Sequence, residues 1–188
     1  MSFKPDLQNI EKLFQDLIFN QLKLQETTPI DHLQDTPKRI AKMLVNELFR
    51  GCYDEPPTIT TFPNDQEDHQ VVCVDSIEVK SMCSHHFMPF YGKAKICYIP
   101  GNEIAGLSKF ARVLDYFARR PQVQEVLGKQ VVEYIWKQIN PLAIGIRMRC
   151  THLCMVHRGA KNNAEMVTQF VKAQNRDLEL ELIQHLEL

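Results

Sequence analysis

Leu142-Ala143-Ile144-Gly145-Ile146-Arg147-Met148-Arg149-Cys150-Thr151-His152-Leu153-Cys154 changes character almost residue by residue. Leu142, Ile144, Ile146, Met148, Cys150, His152 and Cys154 fall on one face; Ala143, Gly145, Arg147, Arg149 and Thr151 fall on the other. Successive side chains point to opposite sides only in an extended chain, so the stretch predicts a long, half-buried strand. It ends in His-x-Cys, which puts reactive side chains where the strand runs out.

Working outward, Val123, Leu127, Val131, Tyr134, Ile135 and Gln138 recur at helical spacing, and Asn140-Pro141 stops that helix. Before it, Gly106-Leu107-Ser108 opens a helix whose apolar face is Leu107, Phe110, Ala111, Leu114, Phe117 and Ala118, punctuated by Pro121. Val71 to Lys80 and Lys93 to Ile99 are β-branched runs that predict antiparallel neighbours around a loop. Beyond the long strand, Met166 to Val171 reads as one more strand. Leu178, Leu182, Ile183 and Leu186 then mark a closing helix. Leu7, Ile10, Leu13, Phe14, Leu17 and Ile18 give a first amphipathic helix over about 7–24. Thr36 as N-cap and Pro37 at the first helical position start a second, which Ile40, Met43, Leu44 and Leu48 carry to about Arg50, where Gly51 ends it. The Pro-rich stretch from Cys52 to about His69 reads as a connector, dividing a helical section, 1–55, from the body of the chain, 56–188. Helices, then strands, then helices, strands and a helix make an α+β protein rather than an alternating βαβ one.

The chain has 188 residues, 44% of them hydrophobic, with 22 Lys plus Arg against 23 Asp plus Glu. A net charge of −1 provides no basic field, which argues against a dedicated nucleic-acid or anionic-membrane binder. Apolar runs such as Val71-Val72-Cys73-Val74 fall far short of the roughly 18 to 20 residues of a membrane helix. Met1-Ser2-Phe3-Lys4-Pro5-Asp6 lacks the layout of a signal peptide, so a cytoplasmic protein is expected. A chain of this size buries a core without covalent staples, and its six cysteines are therefore expected as thiols. Cys73, Cys97 and Cys150, inside apolar runs, read as small core hydrophobes, and Cys52 reads similarly beside a turn.

Cys83 and Cys154 keep histidine company, in Cys83-Ser84-His85-His86 and His152-Leu153-Cys154. Thiolate with imidazole is the donor set of zinc, and three protein ligands leave a fourth position for water. Spacing leaves open which of His85, His86 and His152 bind metal and which move protons. Arg39, Lys42, Lys109, Arg112, Arg119, Arg120 and Arg158 supply local positive charge. Ser108-Lys109 at a helix N-terminus combines N–H groups, a hydroxyl and an ammonium, which suits a phosphate. Glu125 can accept from the N1–H and amino group of a guanine.

Taken together, Thr36-Pro37-Lys38-Arg39-Ile40-Ala41-Lys42-Met43, Cys83-Ser84-His85-His86-Phe87, Gly106-Leu107-Ser108-Lys109, Arg119-Arg120-Pro121-Gln122-Val123-Gln124-Glu125 and His152-Leu153-Cys154-Met155-Val156-His157-Arg158-Gly159 resemble, in order, the motifs of the GTP cyclohydrolase I family. The resemblance implies a T-fold subunit: N-terminal helices, and a four-stranded antiparallel sheet packed by helices. Five such sheets would join into a barrel, and two pentamers would stack as a homodecamer with intersubunit active sites. It implies one zinc ion per subunit on Cys83, His86 and Cys154, with His85 and His152 at the substrate handling protons. Glu125 and Gln124 would read the guanine of GTP, and Ser108, Lys109, Arg112 and Arg158 would hold the triphosphate. Arg39 and Lys42 would reach in from a neighbouring subunit. The implied reaction consumes GTP and water, releases C8 as formate and gives 7,8-dihydroneopterin triphosphate, the first step of tetrahydrofolate and pterin synthesis. Two features depart from the family pattern: Ser84 stands where many members carry Glu, and the segment after Gly159 reads as shortened. Competing readings are a relative that stops at a formylaminopyrimidine, a nitrile reductase with a Cys nucleophile, and a non-catalytic nucleotide-binding paralogue.

Overall fold

Residues 4–187 are described in a computed structural model, and the chain divides into two units, Met1–Asp54 and Glu55–Leu188. In the first, α1 (Leu7–Asp16) starts at Asp6, whose carboxylate accepts from the backbone N–H groups of Gln8 and Asn9 at 3.0 and 3.1 Å. It runs on as a wider π turn, Leu17–Gln21. A single turn, α2 (Ile30–Leu33), precedes α3 (Thr36–Met43), again prolonged by a π turn, Leu44–Leu48. Asp35 occupies the cap position, so Thr36 is the first helical residue and Pro37 the second, one step later than the sequence reading placed them. α1 packs against α3, and Ile18 and Ala41 are buried.

The second unit is built on β2 (Val72–Cys83), β3 (Pro89–Ile99), β6 (Ala143–His152) and β7 (Glu165–Ala173), paired antiparallel in that order. A short pair, β1 (Thr61–Pro63) with β4 (Glu103–Ala105), lies apart from this sheet. The four-stranded expectation needs correction. β5 (Pro121–Gln122) adds a fifth, parallel strand beside Met82 and Cys83. Two residues around a proline carry no strand periodicity, and only docking on β2 makes them one. The segment after Gly159 does not curtail the last strand, because β7 pairs with β6 from Thr151 back to Ala143.

α4 (Ser108–Ala118) packs on β2, and α5 (Gln124–Ile139) packs on β6 and β7. Phe110, Leu114, Leu127, Val131 and Ile135 thereby meet Phe90, Ile96, Ile144, Ile146 and Met148 in the main core. Asn140, in the left-handed region at φ 41°, ends α5. The opposite face is covered only at one end, where α7 (Arg176–Glu187) seats Leu182 and Leu186 on Cys97, Ile99 and Ala143. For this reason β6 is not half-buried throughout: Ala143 and Gly145 are buried on its second face as well. The strand also stops at His152, and Cys154 sits on the short helix α6 (Leu153–Val156).

The cysteines divide differently from expectation. Cys73 is exposed and disulfide-bonded to Cys97, because the β2–β3 register sets the two directly opposite each other, Cα atoms 4.1 Å apart. Cys150 is the buried thiol the sequence foresaw: burial first, and then the Glu165 charge, push it up to about 12. Native protein treated with a maleimide at about pH 8 is expected to leave Cys150 unmodified until the chain is unfolded. Peptide mapping of the alkylated protein checks this, and labelling of Cys150 in the native state would contradict it.

Candidate active site

β2, β5 and β6 converge at one end of the sheet. Cys83 closes β2, and its carbonyl accepts from the Phe87 N–H at 2.9 Å while its own N–H donates to Met88 at 2.9 Å. The turn carrying His85 and His86 is thus tied to the strand end. Phe87 supports it in the left-handed region, at φ 50°. The Ser84 N–H donates to the Gln122 carbonyl at 3.0 Å, which carries the β2–β5 pairing one step further and holds the start of α5 beside the turn.

Cys154, on α6, hydrogen-bonds Cys83, and its thiol is pushed up by burial first and then by that neighbour. His85 Nδ1 lies 3.6 Å from Cys83 Sγ. His86 faces elsewhere: Arg158 Nη1 donates to its Nε2 at 3.0 Å. Among the described residues no three His, Cys, Asp or Glu side chains converge into a cage. The structure therefore pairs Cys83 with Cys154, sets His85 beside Cys83, and sets His86 on the adjacent guanidinium. Two thiols and two imidazoles on one turn and one facing helix are nonetheless a donor set that fits a soft divalent cation.

His152, the last residue of β6, is the register partner of Phe90 on β3, and the two rings stack at 4.6 Å with 8° between their planes. Its Nε2 lies 2.8 Å from Gln124 Oε1. Burial pushes the His152 imidazole below its ordinary value, and the Glu125 carboxylate pulls the other way. Glu125 is exposed one residue along α5 and borders a cavity of about 290 Å³ with Gly128, Ile146, Met148, Thr168, Gln169 and Phe170. Gln124 is fully buried, its amide nitrogen 3.2, 3.1 and 2.9 Å from Met148 O, Met166 O and Thr168 Oγ1. Sequence reasoning missed Phe90 and Thr168 as neighbours of this site, since both belong to it only through strand register.

The residues expected to bind phosphate lie elsewhere. α4 starts near Tyr98, whose ring packs on Phe110 and whose hydroxyl accepts from Ala105 N–H at 3.2 Å. It ends at Ala118, whose carbonyl accepts from Ser81 Oγ at 2.6 Å, two residues before Cys83. Ser108 and Lys109 therefore occupy the opposite end of the sheet from the cysteines, about 15 Å of helix away, with Arg112 one turn closer. Arg158 alone of this group reaches the Cys/His cluster. Arg39 and Lys42 are exposed on α3 in the first unit, Arg39 paired with Asp35 at 3.4 Å.

Comparison with known proteins adds a second line of evidence. The family model described as GTP cyclohydrolase I matches residues 10–186. GTP cyclohydrolase 1 of Desulforamulus reducens is 38% identical over 169 residues, covering 89% of this chain and 88% of its own. That of Bacteroides thetaiotaomicron is 35% identical over 188 residues, covering 96% and 94%, and that of Streptomyces griseus is 42% identical over 148, covering 77% and 73%. The likeness runs through the segments that the fold gathers around Cys83, Gln124 and His152, and the chain belongs to the GTP cyclohydrolase I family.

Proposed function

We propose that the protein hydrolyses and rearranges GTP to 7,8-dihydroneopterin triphosphate with release of formate, the entry step to folate and pterin synthesis. The observation that carries this reading is the junction of β2, β5 and β6 in a chain of this family: paired thiols, an imidazole clamped two residues before one of them, and an exposed carboxylate next in sequence to the clamping Gln124. Cys83, His86 and Cys154 are the residues that would hold a zinc ion. When bound, zinc supplies the Lewis acidity that makes water nucleophilic near neutral pH.

The remaining work falls to this chain's side chains. Glu125 accepts from the guanine N1–H and amino group, fixing C8 and N7 relative to the two histidines. His152 passes a proton to N7, which makes C8 electrophilic. Burial favours the neutral imidazole, which takes up a proton before passing it on. His85, beside Cys83, serves the later proton transfers of ring opening and ribose rearrangement.

Ser108, Lys109 and Arg112 stand at the far end of their own subunit, which supports a triphosphate site completed by another copy of the chain. A homodecamer with intersubunit sites, Arg39 and Lys42 included, accommodates this, and the cytoplasm is its proposed location. No helix among the described residues is long and apolar enough to cross a membrane.

Purified, zinc-loaded protein given GTP is expected to yield formate and a pterin in equal amounts. Mixing unfolded Cys154→Ser and Lys109→Ala subunits and refolding them together is expected to restore activity that neither has alone. Formate without pterin would move the protein to the ring-opening relatives. Failure of every mixture to regain activity would place both residue sets in one subunit's site.

A further inference from the structure

We propose that Gln124 is a positioning residue: its side-chain oxygen fixes His152 as the Nε2–H tautomer and leaves Nδ1 as the nitrogen that exchanges protons with substrate. The inference rests on the reading of His152 as the proton-handling residue of the GTP reaction.

The argument starts from the far side of the amide. Met148 O and Met166 O are carbonyls and can only accept, and Gln124 lies 3.2 and 3.1 Å from them, with Thr168 Oγ1 a third acceptor at 2.9 Å. An amide oxygen placed there would face two carbonyl oxygens, whereas the NH2 group has two hydrogens to give. The network therefore assigns nitrogen to that side. The oxygen is then turned to His152 Nε2, 2.8 Å away. An amide oxygen brings no hydrogen, so the proton in this bond belongs to the imidazole. A neutral imidazole carries one N–H, and committing it to Nε2 puts the lone pair on Nδ1.

Two further features keep the arrangement from relaxing. Gln124 is fully buried, so no water competes for its oxygen. Phe90, also fully buried, lies 8° from parallel to the His152 ring and covers one of its faces. Gln124 is the ring's only hydrogen-bond partner among the described residues, so Nδ1 has no protein group to satisfy. The same geometry commits the Gln124 NH2 group to protein acceptors and turns its oxygen to His152.

Histidine-labelled 15N enzyme, with His152→Gln to assign the signal, is expected to show a protonated Nε2 and an unprotonated Nδ1. Gln124→Met, close in size, is expected to lower kcat by about ten- to a hundredfold, less than the roughly 10²–10⁴-fold of a whole general acid–base contribution, because His152 itself remains. Its KM should stay within about twofold, because the lost interaction acts on the reacting proton and not on ground-state binding. Gln124→Glu, protonated on the oxygen that faces the Met148 and Met166 carbonyls, retains an acceptor opposite Nε2 and should keep more of kcat than Gln124→Met. A neutral His152 ring that carries its proton on Nδ1 in the wild-type enzyme overturns the proposal even if neither variant folds, and so does a raised KM with kcat unchanged in Gln124→Met. Undiminished turnover by His152→Gln would remove the underlying reading of His152, an outcome distinguishable from a wrong tautomer.

Discussion

Cys154→Ser is expected to lose bound zinc and to lower GTP turnover by more than about a hundredfold, since even the residues supporting a metal ligand cost 10- to 100-fold when removed. Cys154 lies in the one-turn helix immediately after β6 and hydrogen-bonds Cys83 at the end of β2. A serine there keeps the size but replaces a polarisable thiolate with a hydroxyl that stays protonated near neutral pH, a poor partner for a soft cation. Folding should survive, because Cys154 is only half-buried and packs against the margin of the main core. Zinc content by mass spectrometry, formate release and the melting temperature separate these effects. Zinc and turnover both at wild-type levels would show that Cys154 is no ligand. The histidines divide by the same measurements. His86→Ala should lose zinc and activity together, whereas His85→Ala should keep zinc and lose activity. The reverse pattern would exchange their roles, which is a pointed test because His85, not His86, sits against Cys83 in this structure.

Gly92→Ala is the largest expected loss of stability. A Cβ on residue 92 would lie 1.9 Å from Arg149 O and 2.7 Å from Cys150 Cα, both backbone atoms of the neighbouring strand. No rotamer change relieves such a contact, so β3 and β6 must move apart where Gly92 pairs with Cys150. A cost on the order of 3 kcal/mol or more is expected, at or beyond the usual range for overpacking. The injury should spread to the site, because Phe90, two residues along β3, stacks on His152. Gly128→Ala is the control. Its Cβ would meet Met148 Cε at 3.1 Å and Ile146 Cγ2 at 3.3 Å, side-chain ends that can give way. A denaturant midpoint should fall sharply for Gly92→Ala and little for Gly128→Ala; equal midpoints would contradict the close approach of the two strands.

Much of this was legible in the residues. The alternation from Leu142 to His152 reflects a real strand, and Phe110, Leu114, Leu127, Val131 and Ile135 read correctly as core because a helix buries one stripe whatever lies opposite. The Cys83, His85-His86, His152 and Cys154 segments were visible as chemistry, since thiols and imidazoles in such company serve few other purposes. Cys73 was misread as a core thiol for a physical reason: its run of valines resembles a buried strand, but only the register with Cys97 shows which face it takes. β5 was invisible because its pairing owes everything to β2 and nothing to its own periodicity.

Local periodicity and residue chemistry thus determined the elements, their apolar faces and the kind of site this chain carries, because both act over a few residues and survive without knowledge of the partner. The tertiary structure alone decided what depends on contacts distant in sequence. It placed Ser108 and Lys109 away from Cys83, because α4 ends beside Ser81 and starts near Tyr98. It stacked Phe90 on His152 through strand register, and it buried Gln124 between the Met148 and Met166 carbonyls on one side and His152 on the other, contacts that no sequence period announces.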